Sequence, residues 1–135
     1  MRQMHYAPLL VLAAWATILV AKVGFIGAQA KDGGYDNAHP RDQQARLEGR
    51  AKRALAAHQN GFENFPPFAA AMLFAFVVGV PSDTVNKLGL TFVLCRLVYN
   101  YLYIANKSTL RSLIWGLGSC CSAALFIFAF FRLQH

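Results

Sequence analysis

The residues that can do chemistry fall into two short patterns and one outlier. Arg53, Asn60 and Glu63 stand at i, i+7 and i+10. Arg96, Tyr99 and Tyr103 stand at i, i+3 and i+7. On helices each pattern holds one face, whereas Tyr101 points elsewhere. Two such helices facing each other would line a polar cleft built from guanidinium, carboxylate, carboxamide and phenol groups. The outlier, Arg111, falls in the first turn of a further expected helix, where the dipole favours an anion over a cation. It makes either an anion-binding corner or a charge that sets membrane topology. No P-loop, G-x-G-x-x-G or Ser-His-Asp pattern occurs. His5, His39 and His135 are isolated, with no metal-like pairing. His58 lies about 200° around a helix from Asn60, off the cleft face.

These polar groups sit in an apolar chain. Of 135 residues, 56% are hydrophobic and 14% charged, with a formal charge of +7. A typical soluble domain has about 25% charged residues. The balance excludes a disordered chain and disfavours a soluble fold of this size. A basic chain can bind nucleic acid, but the 11 phenylalanines and the long uncharged runs fit a membrane protein with basic cytoplasmic loops. Cys95, Cys120 and Cys121 lie inside apolar runs and read as small buried residues.

Four stretches have the length and composition of spanning helices: residues 6–30, interrupted by Lys22; 64–82; 88–106, with Arg96 inside; and 112–131. Adding the polar, helix-forming residues from Gln43 onward gives helices at about 6–30, 43–80, 84–106 and 109–132 in a single domain of residues 1–135. The second helix then extends out of the bilayer. Residues 31–45, with Gly33, Gly34, Asn37 and Pro40, form a long first connection. Pro81-Ser82-Asp83 ends the second helix and can cap the third, and Ser108 is a candidate cap for the fourth. The short connections make helices two, three and four antiparallel neighbours. Lys31, Arg41, Arg46, Arg50, Lys52, Arg53, Lys107 and Arg111 lie on one side, against Arg2, Lys87 and Arg132 on the other. The positive-inside rule places the first and third connections in the cytoplasm and both termini outside. Ala28-Gln29-Ala30 is also compatible with a signal-peptide cleavage site, which would leave three helices.

An ionisable residue at membrane depth is costly and usually has a partner. Counted at 1.5 Å per residue, Arg96 and Glu63 differ in depth by about 7 Å, within reach of a side chain. The expectation is a Glu63–Arg96 pair, serving a site or only helix register. Tyr99 and Tyr103 either line that site or belong to an aromatic belt. Pro66-Pro67 deprives the carbonyls of Phe62 and Glu63 of their helix partners and should kink the second helix. Ser112, Gly116, Ser119 and Ala123 form a small-residue stripe, read as a packing face.

The stretch 53–68, with His58, Asn60, Glu63 and Pro66-Pro67, resembles the second-helix signature of the MAPEG family, the membrane-associated proteins of eicosanoid and glutathione metabolism. Arg96-x-x-Tyr99-x-x-x-Tyr103 followed by Leu110-Arg111 resembles the third-helix pattern of the same family. The resemblance implies an all-α, integral membrane, left-handed four-helix bundle forming a homotrimer, with glutathione between subunits near the cytoplasmic side. It puts Asn60, Glu63, Arg96, Tyr99 and Tyr103 around glutathione, with Arg53 nearby, and makes Arg111 the catalytic arginine that activates the thiol. Ala56 departs from the pattern, since several members carry a glutathione-binding Arg there.

The function so implied is a glutathione-dependent transferase or peroxidase acting on lipophilic electrophiles or hydroperoxides at the membrane interface. Its partners would be membrane lipid, glutathione and a lipophilic substrate, with no metal and no nucleic acid. Two alternatives stay open. One is a non-catalytic protein of the same fold that binds a lipid or a protein in the cleft. The other is a small proton-coupled exporter, which leaves Arg96 and the basic helix without a role.

Overall fold

The computed structural model describes residues 6–134. His5, His135 and Arg2, part of the histidine and charge readings above, lie outside the described residues. Five helices follow in order: α1 (Ala7–Lys31), α2 (Pro40–Ala45), α3 (Gly49–Val77), α4 (Ser82–Ile104) and α5 (Ser108–Leu133). No strand occurs among the described residues.

The four long helices match the expected ones, with one correction. The second does not run from Gln43. Residues 40–45 make a separate one-and-a-half-turn helix started by Pro40, and Glu48 is extended. Gly49 then opens α3 at φ +54, a left-handed conformation that glycine adopts without a Cβ penalty. Helix propensity alone could not see this joint. Gln43 also has a competing use: its buried side chain ties the connection together. Its Nε2 donates to the carbonyls of Gly34 (2.6 Å) and Gln29 (3.3 Å), and its Oε1 accepts from Gln29 Nε2 and Asp36 N–H, both at 3.2 Å.

The expected caps also differ. Helix α4 already begins at Ser82 and α5 at Ser108, and neither end has a side-chain cap hydrogen bond. Asp83 instead pairs with Lys87 one turn on, at 2.7 Å. Helix α3 passes through Pro66 and Pro67 without interruption.

The packing alternates in direction. Gly89 of α4 lies against Leu10 of α1 and Met72 of α3, while Gly24 of α1 lies against Ala54 of α3 and Ile104 of α4. Helix α1 therefore runs with α4 and against α3. Gly118 of α5 meets Cys95 of α4, and the three-residue connection between them makes α5 run back against α4. The core divides in two. One cluster joins Phe68 and Met72 of α3 to Val85 and Phe92 of α4 and Leu125 of α5. Phe68 and Phe92 stack face to face at 3.8 Å. The other joins Phe25, Leu47, Ala54 and Leu55.

Between these clusters runs a polar layer. Asn100 Nδ2 donates to the Thr17 carbonyl at 2.8 Å, and His58 Nδ1 lies 2.8 Å from the Ile18 carbonyl. A carbonyl only accepts, so His58 carries its proton on Nδ1. Arg96, at 4% exposure, belongs to the same layer.

The outer surface is apolar. Leu9, Leu12, Val23, Leu73, Val77, Leu113 and Phe130 are all exposed. Soluble monomers rarely expose apolar surface on this scale. Helices α1 and α5 are long and apolar enough to cross a membrane, with mean hydropathy 2.3 and 2.0. Helices α3 and α4 fall short of that measure because the apolar half of α3 is short and α4 carries Asp83, Lys87 and Arg96.

Candidate functional site

The cleft faces of α3 and α4 meet above the large core cluster. Arg96 does not reach Glu63 directly. Its Nη2 donates to Asn60 Oδ1 at 3.1 Å, and Asn60 Nδ2 donates to Glu63 Oε2 at 3.0 Å. The expected salt bridge is thus relayed by a carboxamide. The three ion pairs found among the described residues lie elsewhere. Asn64 Nδ2 donates both to Asn60 Oδ1 (3.1 Å) and to the Asn60 carbonyl (3.0 Å). With two donors on its oxygen and a carboxylate on its nitrogen, the Asn60 amide has one consistent orientation.

From Arg96 the site continues as a stack. The Arg96 guanidinium lies 4.2 Å from the centre of the Tyr99 ring. Tyr99 meets Tyr103 edge to face at 5.6 Å. Arg111 closes the series 4.2 Å from the Tyr103 ring. A desolvated cation over an aromatic face is stabilised by about 2 kcal/mol. This offsets part of the cost of burying Arg96, and the relayed carboxylate offsets more. The periodicity of α4 explains Arg96, Tyr99 and Tyr103. Arg111 arrives because the α4–α5 turn is tight: Asn106 adopts φ 60, and Lys107 N–H bonds to the Leu102 carbonyl.

Asn60, Tyr99, Tyr103, Arg111, Ser112 and Trp115 line a cleft of about 200 Å³. Glu63 is exposed beside it, and Tyr101 points away. The arrangement can bind carboxylates through guanidinium groups and an ammonium through Glu63, and it sets Arg111 beside whatever enters.

Arg53 is placed apart. Its Nε donates to the Ile104 carbonyl at 3.0 Å, closing the last turn of α4. It shares the α3 face with Asn60 but lies seven residues, about 10 Å, further along. The helix-end carbonyl there lacks an intrahelical donor and takes the guanidinium.

Two other readings are corrected. The stripe on α5 does not pack inside the chain. A Cβ on Gly116 would meet nothing, Ser112 lines the cleft, and Ser119 and Ala123 line a groove of about 260 Å³ with Asn64, Pro67 and Phe126. Cys120 is exposed, whereas Cys95 and Cys121 are buried as expected. Trp115, Asn64 and Asn100 were missed. Asn64 stands four residues after Asn60, a helical spacing that brings two amides together and could have flagged it.

The family model described as MAPEG family matches residues 6–131, nearly the whole chain. The chain belongs to the MAPEG family. Its match spans α1 through most of α5, so the cleft lies wholly within the part shared with the family. Family membership and the two long apolar helices identify a membrane protein. No curated protein and no solved structure matches this MAPEG chain.

Proposed function

We propose that this MAPEG protein is a glutathione-dependent membrane transferase or peroxidase. The observation that carries the reading is that Asn60 and Arg111 line one small cleft, with Arg96 and Glu63 joined to it through the Asn60 carboxamide. Glutathione has two carboxylates, one ammonium and a thiol. Arg96, Tyr99 and Tyr103 take a carboxylate end, Glu63 takes the ammonium, and Asn60 holds the two charges apart. Arg111 acts on the sulfur. A free thiol with pKa near 8.5 is only a few per cent ionised at neutral pH. Lowering that value by about two units takes about 2.7 kcal/mol. A guanidinium at a helix start, at the dry edge of a bilayer, supplies stabilisation of that order.

The thiolate then attacks a lipophilic electrophile, opening an epoxide or an activated double bond to form a thioether, and the oxygen or carbon that receives the electron pair takes up a proton. With a hydroperoxide it attacks the O–O bond, giving an alcohol and a sulfenic acid, which a second glutathione converts to disulfide and water. The cleft of one chain is smaller than the roughly 300 Å³ at which ligand pockets usually begin. A neighbouring copy in a homotrimer of left-handed four-helix bundles completes it. All four long helices span the membrane, α1 and α5 by their hydropathy and α3 and α4 by packing between them. The basic end, with the α1–α3 and α4–α5 connections, faces the cytoplasm, and both termini face outward.

The test is a titration of detergent-purified protein with glutathione, followed by binding heat and thiolate absorbance. Binding at millimolar ligand is expected, with a thiolate signal at neutral pH that falls about twentyfold in Arg111→Ala. No binding at that concentration rejects the proposal. Ala56 favours a second reading, a non-catalytic protein holding a lipid or protein partner in the same cleft. That reading predicts a co-purified lipid or partner displaced by Asn60→Ala or Tyr99→Ala.

A further inference from the structure

We infer that a second cleft, between the start of α3 and the end of α4, holds the headgroup of an anionic phospholipid. It measures about 320 Å³ and is lined by Arg50, Tyr101, Ile104 and Ala105, none of which lines the Asn60–Arg111 cleft. The inference rests on the membrane reading above and is independent of glutathione.

Arg50 has no ion-pair partner among the described residues, and two acids of the neighbouring connection are engaged elsewhere. Asp32 pairs with Arg46 at 3.0 Å, and Asp36 accepts the backbone N–H groups of Ala38 and His39. A guanidinium fork matches a phosphodiester in geometry and charge. The carbonyl end of a helix ordinarily repels an anion. Here Arg53 covers the Ile104 carbonyl, so the α4 wall of the cleft carries a cation instead. Tyr101 is 70% exposed, with an apolar ring and a polar tip suited to the membrane–water boundary.

The depth and the track below agree. The apolar cluster of Phe25, Ala54 and Leu55 lies directly beneath the basic start of α3, so the cleft sits where apolar chain gives way to basic chain. Leu90, Leu94, Leu97 and Tyr101 are all exposed and stand at i, i+4, i+7 and i+11, one stripe along α4. The stripe is about 16 Å long. That is half of a bilayer core of about 30 Å, the depth of one leaflet. An acyl chain lies along the leucines while its phosphate meets Arg50.

The experiment is native mass spectrometry of the detergent-purified full chain, titrated separately with phosphatidylglycerol and phosphatidylcholine. The wild type should retain the anionic lipid about tenfold better. Arg50→Gln and Tyr101→Ala should each lose at least fivefold of that preference, and Arg50→Lys should keep most of it. Lys52→Gln removes the same charge about 200° around α3. It should leave the preference intact, and an equal loss there would overturn the site in favour of diffuse charge. Competition by glycerol phosphate as effective as by the lipid would overturn it in favour of a soluble anion. A change of oligomeric state in Arg50→Gln would overturn it in favour of a second copy on this face. A chain that stays in solution without detergent rejects the membrane reading itself, a result distinct from lost selectivity in a chain that needs detergent.

Discussion

Asn60 is the hinge of the charge arrangement, because one carboxamide joins a buried guanidinium to an exposed carboxylate. Removing it leaves Arg96 with its ring contact alone. A lost hydrogen bond to a charged group costs about 1.5–3 kcal/mol. Asn60→Ala should therefore weaken glutathione binding about ten- to hundredfold, measured by calorimetry. Arg53→Ala should do the opposite. It frees the Ile104 carbonyl and lowers the thermal midpoint, yet leaves glutathione affinity within twofold; a parallel loss of affinity would return Arg53 to the cleft. The sequence showed the polar faces of α3 and α4 because side-chain spacing encodes them. It did not show that Arg96 would choose an amide over a carboxylate, which depends on a few ångströms of helix offset. Nor did it show the carbonyls that Asn100, His58 and Arg53 find, since a backbone acceptor has no letter in the sequence.

Helix contacts are tightest where glycine allows them. A Cβ on Gly24 would come within 2.7 Å of the Ala54 Cβ, a short branch with no way to move aside. Gly24→Ala should cost about 1–3 kcal/mol, read as a lower midpoint in detergent. The connection between α1 and α3 has its own weak point. Asp36 is held below the usual carboxylate range, chiefly by the His39 backbone N–H. Its contribution is present above the unfolded-chain value of about 3.9. It fades as the pH falls through the lower folded value. Limited proteolysis at residues 32–48 should stay slow at neutral pH and speed up only in strong acid, whereas in Asp36→Ala it should be fast throughout. The four long helices were legible because apolar length is a strong signal. The joint at Gly49 was not, because the residues around it are good helix formers and the left-handed turn there is stabilised by a connection held through Gln43.

The exposed leucines and phenylalanines of the four long helices, the basic end and the small cleft all bear on assembly. If one cleft needs two chains, light scattering in detergent should give three chains per particle, with glutathione binding lost when the particle is dissociated to single chains. A single-chain particle that still binds glutathione would confine the site to one chain. The overall class was readable from composition, since few charges and many aromatic residues leave little choice of solvent. Trp115 gives a practical return. It is one of two tryptophans in the chain, and it borders the cleft while Trp15 lies on α1. With Trp15 replaced by phenylalanine, the protein would carry a single built-in fluorophore at the cleft edge, and its emission would report occupancy in real time without any label.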